Sequence, residues 1–300
     1  MNKQATFTFA ALPRAARSAL QWRLLLLWVL AMLIPTAILT LPVWQLLSAN
    51  LDYSVHADAI ARQLDATVFA DLMAAHGKSS AAFTSFMWMA LAATLLLSPL
   101  LSGMTVTAAR ARDRLGMGAL MSGALAEYPR MLRMLLWAVV PLGLAVALGS
   151  MAIDAADDKA LAALTAADAD LPGTLAMLLM ALLLALANAS LDAGRATLAV
   201  DRRRSSALKA WWQGCTLLLR RPLAGLGVYI VISAAGLALA AALSAGRLNV
   251  AGAGAGGLIA ALALTVLTVL VIGWMRSARL FAMVELAHAQ EVNAMHYRGN

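Results

Sequence analysis

The sequence predicts an all-α fold, a polytopic membrane helical bundle with six transmembrane helices, and three observations carry that reading. Of 300 residues, 62% are hydrophobic and 13% charged, against about 45–50% and about 25% in an ordinary soluble domain. The apolar residues gather into six runs: Leu24 to Leu47, Phe83 to Gly103, Leu132 to Ile153, Leu175 to Leu191, Leu223 to Ala245 and Leu258 to Trp274. Each run is near the ~20 residues that cross ~30 Å of hydrocarbon. Nineteen of the twenty-three Lys and Arg residues fall on alternate connections.

The runs are read as helices because backbone polar groups in hydrocarbon must be satisfied within their own segment. A membrane barrel would instead show short alternating strands, and none are visible. The first run exceeds the ~7–15 apolar residues of a signal-peptide core, and no small-residue cleavage site follows it, so it is expected to remain in the mature protein.

Orientation comes from the basic residues. The N-terminal segment, the second-to-third and fourth-to-fifth connections and the tail hold nineteen of them, while the alternate connections keep Arg62, Lys78, Lys159 and Arg247 and nine aspartates. The positive-inside rule then places both termini in the cytoplasm of a bacterial inner membrane. The same placement argues against nucleic acid as a partner despite a net charge of +8. The basic residues flank apolar runs and do not gather on one soluble face. The lone Cys215 excludes an intramolecular disulfide and a cysteine-based metal cluster.

Three connections carry helical periodicity of their own. Leu208, Trp211, Trp212, Cys215, Leu218 and Leu219 recur at helix spacing between Ser205 and Leu219, and Leu120, Met121, Ala124, Leu125, Tyr128 and Met131 do so between Met117 and Leu132. Phe9, Leu12, Ala16 and Leu20 form a weaker third stretch. Each reads as an amphipathic helix in the cytoplasmic interface, with Trp211, Trp212, Leu120 and Tyr128 as candidate contacts for a membrane or cytoplasmic protein partner. Each also ends on a basic residue before a span, Arg23, Arg133 or Arg221. The chain is therefore read as one membrane domain, 1–300, in which three parallel two-span units, 1–112, 113–200 and 201–300, are one account of the pattern. The other is that any hairpin with cytoplasmic ends needs basic anchors.

Ser48 to Ala82 mixes apolar and acidic residues in a pattern expected of short helices on the outer face, and Asp154 to Asp170 reads as an acidic, solvated helix. Gly252 and Gly256 make a G-x-x-x-G expected to admit a close helix neighbour, in this chain or a second copy, with a flexible hinge as the second reading. The last span is expected to run on past Trp274 as an amphipathic helix.

Charge inside a membrane marks function by default. Asp192, at the inner end of the fourth run, is the best candidate, with Asn188 one turn before it and Arg195 at i+3. The three form a candidate polar intramembrane cluster. The pair Asp192 and Arg195 reads first as an anchoring ion pair and second, with Asn188, as part of a polar path. Pro35, Pro42, Pro99 and Pro141 read first as packing kinks and second as the breaks that build binding sites in transporters. Glu285 and His288 have the Glu-x-x-His spacing of di-iron bundles, but the matching carboxylates and the second copy are missing, so no metal is expected. No H-E-x-x-H, Walker loop or G-x-S-x-G occurs. No catalytic residue, cofactor or metal is therefore assigned.

The run Asp192-Ala-Gly-Arg195-Ala-Thr-Leu198, with Arg203-Arg204-Ser205, Leu219-Arg-Arg-Pro222-Leu223 and Glu127-Tyr-Pro-Arg-Met-Leu-Arg133, resembles a group of uncharacterised bacterial six-span inner-membrane proteins of about this length. The 51–77 loop is similar to theirs as well. Ala193 departs from the group, which more often has an aromatic residue there. The resemblance implies the six-span topology and brings no activity. On the residues themselves, a non-enzymatic scaffold or partner-binding subunit is the leading expectation, because interfacial features outnumber polar residues in the spans. A permease-like or channel-like subunit with a separate ATPase is the alternative, and a lipid-modifying enzyme would need titratable groups converging beyond Asp192.

Overall fold

A computed structural model of the chain describes residues 13–51, 77–111, 113–161, 165–203, 206–250 and 255–298. Among the described residues there is no strand. A short helical segment, 13–18, leads into α1 (Trp22–Leu51), α2 (Gly77–Arg110), α3 (Met117–Leu161), α4 (Ala166–Val200), α5 (Ala207–Arg220), α6 (Pro222–Leu248) and α7 (Ala255–Arg298). All except α5 are long and apolar enough to cross a membrane, six in number. The protein is thus a multi-pass helical bundle. Most of the 48–82 loop and its histidines lie outside the described residues.

Successive helices pair as hairpins, α1 with α2, α3 with α4 and α6 with α7, and α2 packs on α3 as closely. Large side chains are buried almost entirely at the end of the bundle rich in Lys and Arg, here the basic end. One cluster there joins Met131, Met134, Leu191, Leu198, Leu217 and Met283. The other joins Ala15, Trp28, Leu101, Met104, Leu120 and Phe281. Toward the opposite end the buried positions are small, Ala90, Ala145, Gly149, Ala176 and Ala240, while Val139, Met151, Leu175 and Leu258 face outward. Lipid solvates such side chains as well as protein does, so close helix approach there depends on small residues.

Of the three interfacial helices expected, α5 is the one that stands alone. It is cut off by Ser206, whose side chain accepts from Lys209 N–H (3.4 Å), and by Arg221 and Pro222, where the backbone leaves the helical region. Residues 117–132 do not form a separate helix. They are the first turns of α3, which runs 45 residues without ending at Pro129 or Pro141, about 68 Å at ~1.5 Å per residue. Of the apolar face expected to meet the membrane surface, Leu120 and Ala124 are instead buried against α2 and the 13–18 segment, while Met117 and Leu125 stay exposed, so protein replaces lipid along part of it. Of the N-terminal stretch, Phe9 and Leu12 lie outside the described residues, Leu20 is exposed, and the buried residues are Ala15 and Ala19.

The tail continues the last span as expected, α7 running unbroken through 44 residues. A Cβ on Gly256 would meet nothing within 4 Å, so the close approach expected of the G-x-x-x-G is not made within this chain at that residue. Gly252 lies outside the described residues.

Candidate intramembrane binding site

Two charge clusters stand at the basic end. In the first, Glu127 of α3 accepts from Arg110 of α2 and from Arg130 one turn along (2.6 Å). Both guanidiniums also donate to carbonyls at the end of α4: Arg110 to Leu198 (3.0 Å) and Ala199, Arg130 to Leu198 (2.8 Å) and Asp201 (2.7 Å). The last carbonyls of a helix lack intrahelical partners and carry the negative end of its dipole, so two cations held there by one carboxylate satisfy both demands. Each carboxylate oxygen of Glu127 is thus engaged by an arginine, and the cluster is structural.

The second cluster is built on Asp192. Arg195 Nη1 donates to Asp192 Oδ1 (2.6 Å), and Arg279 of α7 approaches Oδ2 through Nε at 3.6 Å. Arg279 is further held by Tyr229 Oη (3.0 Å) and Ser233 Oγ (3.2 Å) of α6 and lies 4.7 Å from the Tyr229 ring centroid. Its Nε–H is buried without a hydrogen-bond partner at normal distance. Arg276, one turn earlier on α7, stands 5.9 Å from the Trp28 ring centroid. Among the described residues it makes no hydrogen bond and no ion pair.

Asp192, Arg195, Arg276 and Arg279 lie along one cavity of about 570 Å³ bounded by α1, α2, α3, α4 and α7, within the ~300–1,000 Å³ usual for ligand sites. Asn188 lines it too, its amide donating to Leu184 O (2.8 Å). On α2 the hydroxyl residues Thr94, Ser98, Ser102 and Thr105 repeat at helical spacing and all face the cavity. Thr94 and Thr105 donate to carbonyls of their own helix (2.8 Å each), while Ser98 and Ser102 have no hydrogen-bond partner among the described residues. The wall away from the charges is mostly apolar, Leu39, Leu95, Leu142, Val269 and Ile272, with Thr36 and Thr94 among them, each donating to a carbonyl of its own helix (2.8 Å). From Trp28 to Leu39 the α1 wall rises eleven residues, about 16 Å at ~1.5 Å each.

Asn188, Asp192 and Arg195 therefore share one polar site. The four interfacial candidates do not. Leu120 is fully buried. Trp211 packs edge-on against Trp137 (5.6 Å between centroids) and donates Nε1–H to Ser190 Oγ (2.9 Å). Tyr128 is half-buried and donates to Leu96 O (3.1 Å), while Trp212 is 63% exposed. Leu120 and Trp211 thus serve the chain's own packing, and Trp212 is the one of the four directed outward.

The sequence reading missed the α2 hydroxyl stripe, Arg276 and Arg279. The stripe was visible as the i, i+4, i+8, i+11 spacing of four Ser and Thr residues, beside a proline read as a kink. The two arginines were counted toward orientation. Among the described residues no three His, Cys, Asp or Glu side chains converge as a metal site would require.

Fold and site together define a multi-pass membrane protein with a ligand-sized cavity that is polar at one end. No protein-family model, no curated protein and no solved structure matches the chain.

Proposed function

We propose that this chain is a non-enzymatic, permease-like ligand-binding protein of a bacterial inner membrane, with its basic end and both termini in the cytoplasm. The cavity is the observation that carries the reading. A scaffold needs no space among its helices, yet here five helices line an open, ligand-sized cavity with two serines that have no hydrogen-bond partner among the described residues. Buried donors are usually hydrogen-bonded, yet Arg279 Nε–H and the Trp28 indole N–H, both of cavity-lining residues, are not, so the lining points to an occupant. The non-enzymatic part is supported by Asp192, whose carboxylate is held by Arg195 (2.6 Å) with Arg279 beside it (3.6 Å), the arrangement of a structural counter-ion. Orientation rests on the distribution of Lys and Arg.

The test is thiol access in a Cys215→Ser background. Ser98→Cys and Ser102→Cys are expected to react with a small, charged, membrane-impermeant thiosulfonate, and Leu136→Cys, on the exposed outer wall of α3, is not. Reaction from one side of the membrane marks a binding site open to that side; reaction from each side in turn marks a path. If neither serine position reacts from either side, the ligand-binding reading is wrong.

A second reading, partner docking, draws on α5, which turns Leu208, Trp212 and Leu219 outward at the basic end. It predicts that Trp212→Ser removes a stoichiometric co-purifying protein and leaves the melting temperature within about 1 °C, as for surface substitutions generally. Retention of the same partner would exclude docking through Trp212.

A further inference from the structure

The cavity's charges do not balance. Arg195, Arg276 and Arg279 face one carboxylate, Asp192. No other acid on the surrounding helices relieves them: Glu127 is held by Arg110 and Arg130, and the charged neighbour of Glu285 on α7 is Arg14. Two positive charges are left over inside membrane-spanning helices, where an uncompensated charge is costly. The donors without acceptors gather at the same end. Arg279 Nε–H is buried without a hydrogen bond, as is the indole N–H of Trp28, a cavity-lining residue. Arg276 is exposed and lines the cavity.

The chemistry missing at this end is an anion with several acceptor oxygens. The rest of the cavity asks for something else. Beyond Arg276 the wall becomes Ile272, Val269, Leu39, Leu95 and Leu142, and the two hydroxyls among them, Thr36 and Thr94, are taken up by carbonyls of their own helices; Val269 lies seven residues up α7, about 10 Å at ~1.5 Å each. A small hydrophilic anion would leave that wall unmatched, and a neutral hydrocarbon would leave the arginines unmatched. Basic pockets between transmembrane helices at the cytoplasmic side are a recurrent way of holding anionic lipid head groups.

We infer that the cavity binds an amphiphile with an anionic phosphate head, held by Arg276, Arg279 and Arg195, with a hydrocarbon chain lying along the Leu39, Leu95, Leu142 and Val269 wall. The inference rests on the ligand-binding reading above. Its geometry matches a lipid of the leaflet at the basic end, head at that surface and chain toward the midplane. Asp192 then acts as a positioning residue, orienting Arg195 and Arg279 toward the head group.

The test uses the full chain purified in a neutral maltoside and followed by thermal melting. Three probes are added in turn: dioctanoyl phosphatidylglycerol, dioctanoyl phosphatidylcholine and inorganic phosphate. The expected result is stabilisation by the phosphatidylglycerol alone. Its apparent affinity should fall about fivefold or more in Arg276→Gln, as for loss of one lipid-facing arginine, largely recover in Arg276→Lys, and stay unchanged in Arg247→Gln at the opposite end.

Equal stabilisation by phosphate alone would overturn the amphiphile and leave an anion site. Equal stabilisation by both lipids would overturn the anionic head. An affinity unaltered by Arg276→Gln would place the lipid elsewhere. If no probe stabilises the wild type while Ser98→Cys and Ser102→Cys are labelled, this inference fails and the ligand-binding reading stands; if those positions are also unreactive, both fail.

Discussion

Replacing Glu127 by Ala is expected to destabilise the protein by about 3–5 kcal/mol, the usual result of removing one partner from a buried ion pair. The carboxylate is only 6% exposed and the two guanidiniums 17% and 13%, so water can reach little of what the substitution would leave behind. Arg110 and Arg130 would lose their shared anion while still pointing at the carbonyls of Leu198 and Ala199. Thermal melting in detergent checks it, with a drop on the order of 10 °C expected. Glu127→Gln keeps the shape and an acceptor oxygen but not the charge and should lie between. A melting temperature unchanged in Glu127→Ala would show that the two arginines are satisfied without the carboxylate.

Gly214→Ala is the second large effect. A Cβ there would stand 2.4 Å from Gly194 N, 2.7 Å from Ala193 C and 2.9 Å from Gly194 Cα. All three are backbone atoms of α4, so nothing can rotate away and α5 must move. Overpacking of this kind costs about 1–3 kcal/mol and at times more. Cys215 is the local reporter. Burial pushes its thiol above the usual range, and the thiolate is the reactive form. In the wild type, maleimide labelling should therefore be slow at neutral pH and keep rising at pH values where a free thiol has levelled off. In Gly214→Ala it should quicken several-fold and take the pH profile of an ordinary thiol. Gly227→Ala, where a Cβ meets nothing within 4 Å, should change neither melting nor labelling. Wild-type labelling in Gly214→Ala would mean that α5 absorbs the methyl group without undocking.

The parts of this molecule legible from sequence are those set by local composition. The six spans follow from runs of apolar residues, and the continuation of α7 past Trp274 from the lack of a breaker. The Asp192 and Arg195 pair needs only a spacing of three on one helix. What was misread depends on which surroundings a face meets. On α5 the face expected to meet the interface held Leu208, Trp211, Trp212, Cys215, Leu218 and Leu219; Leu208, Trp212 and Leu219 do face outward, but Leu218 is buried, Trp211 packs on Trp137, and the contact with the bundle is made by Ala210, Gly214 and Leu217. In a soluble protein the large apolar side would turn inward. Beside a membrane, lipid takes that side and small residues mark the contact with protein.

Residues 117–132 were misread for the converse reason, since an amphipathic face does not say whether lipid or protein will cover it. The cavity was hidden more deeply. Ser and Thr weigh little in hydropathy, so Thr94, Ser98, Ser102 and Thr105 pass as ordinary span residues until α1 and α7 are placed opposite. Likewise Arg276 and Arg279 look like inner anchors until α4 brings Asp192 beside them.

The basic-end contacts also impose an order on synthesis. Arg110 closes on carbonyls 88 and 89 residues further along the chain, so the first hairpin leaves the ribosome with a cation whose partners do not yet exist. Trp274 donates to Ala16 across 258 residues (2.9 Å), and Arg279 reaches Asp192 only once the last helix is made. Helices one to four can thus insert and join as a first assembly stage, but the chamber gains its fifth wall only when α7 has followed. A chain stopped before α7 would present Asp192 and Arg195 on an unfinished surface, the carboxylate still lacking Arg279.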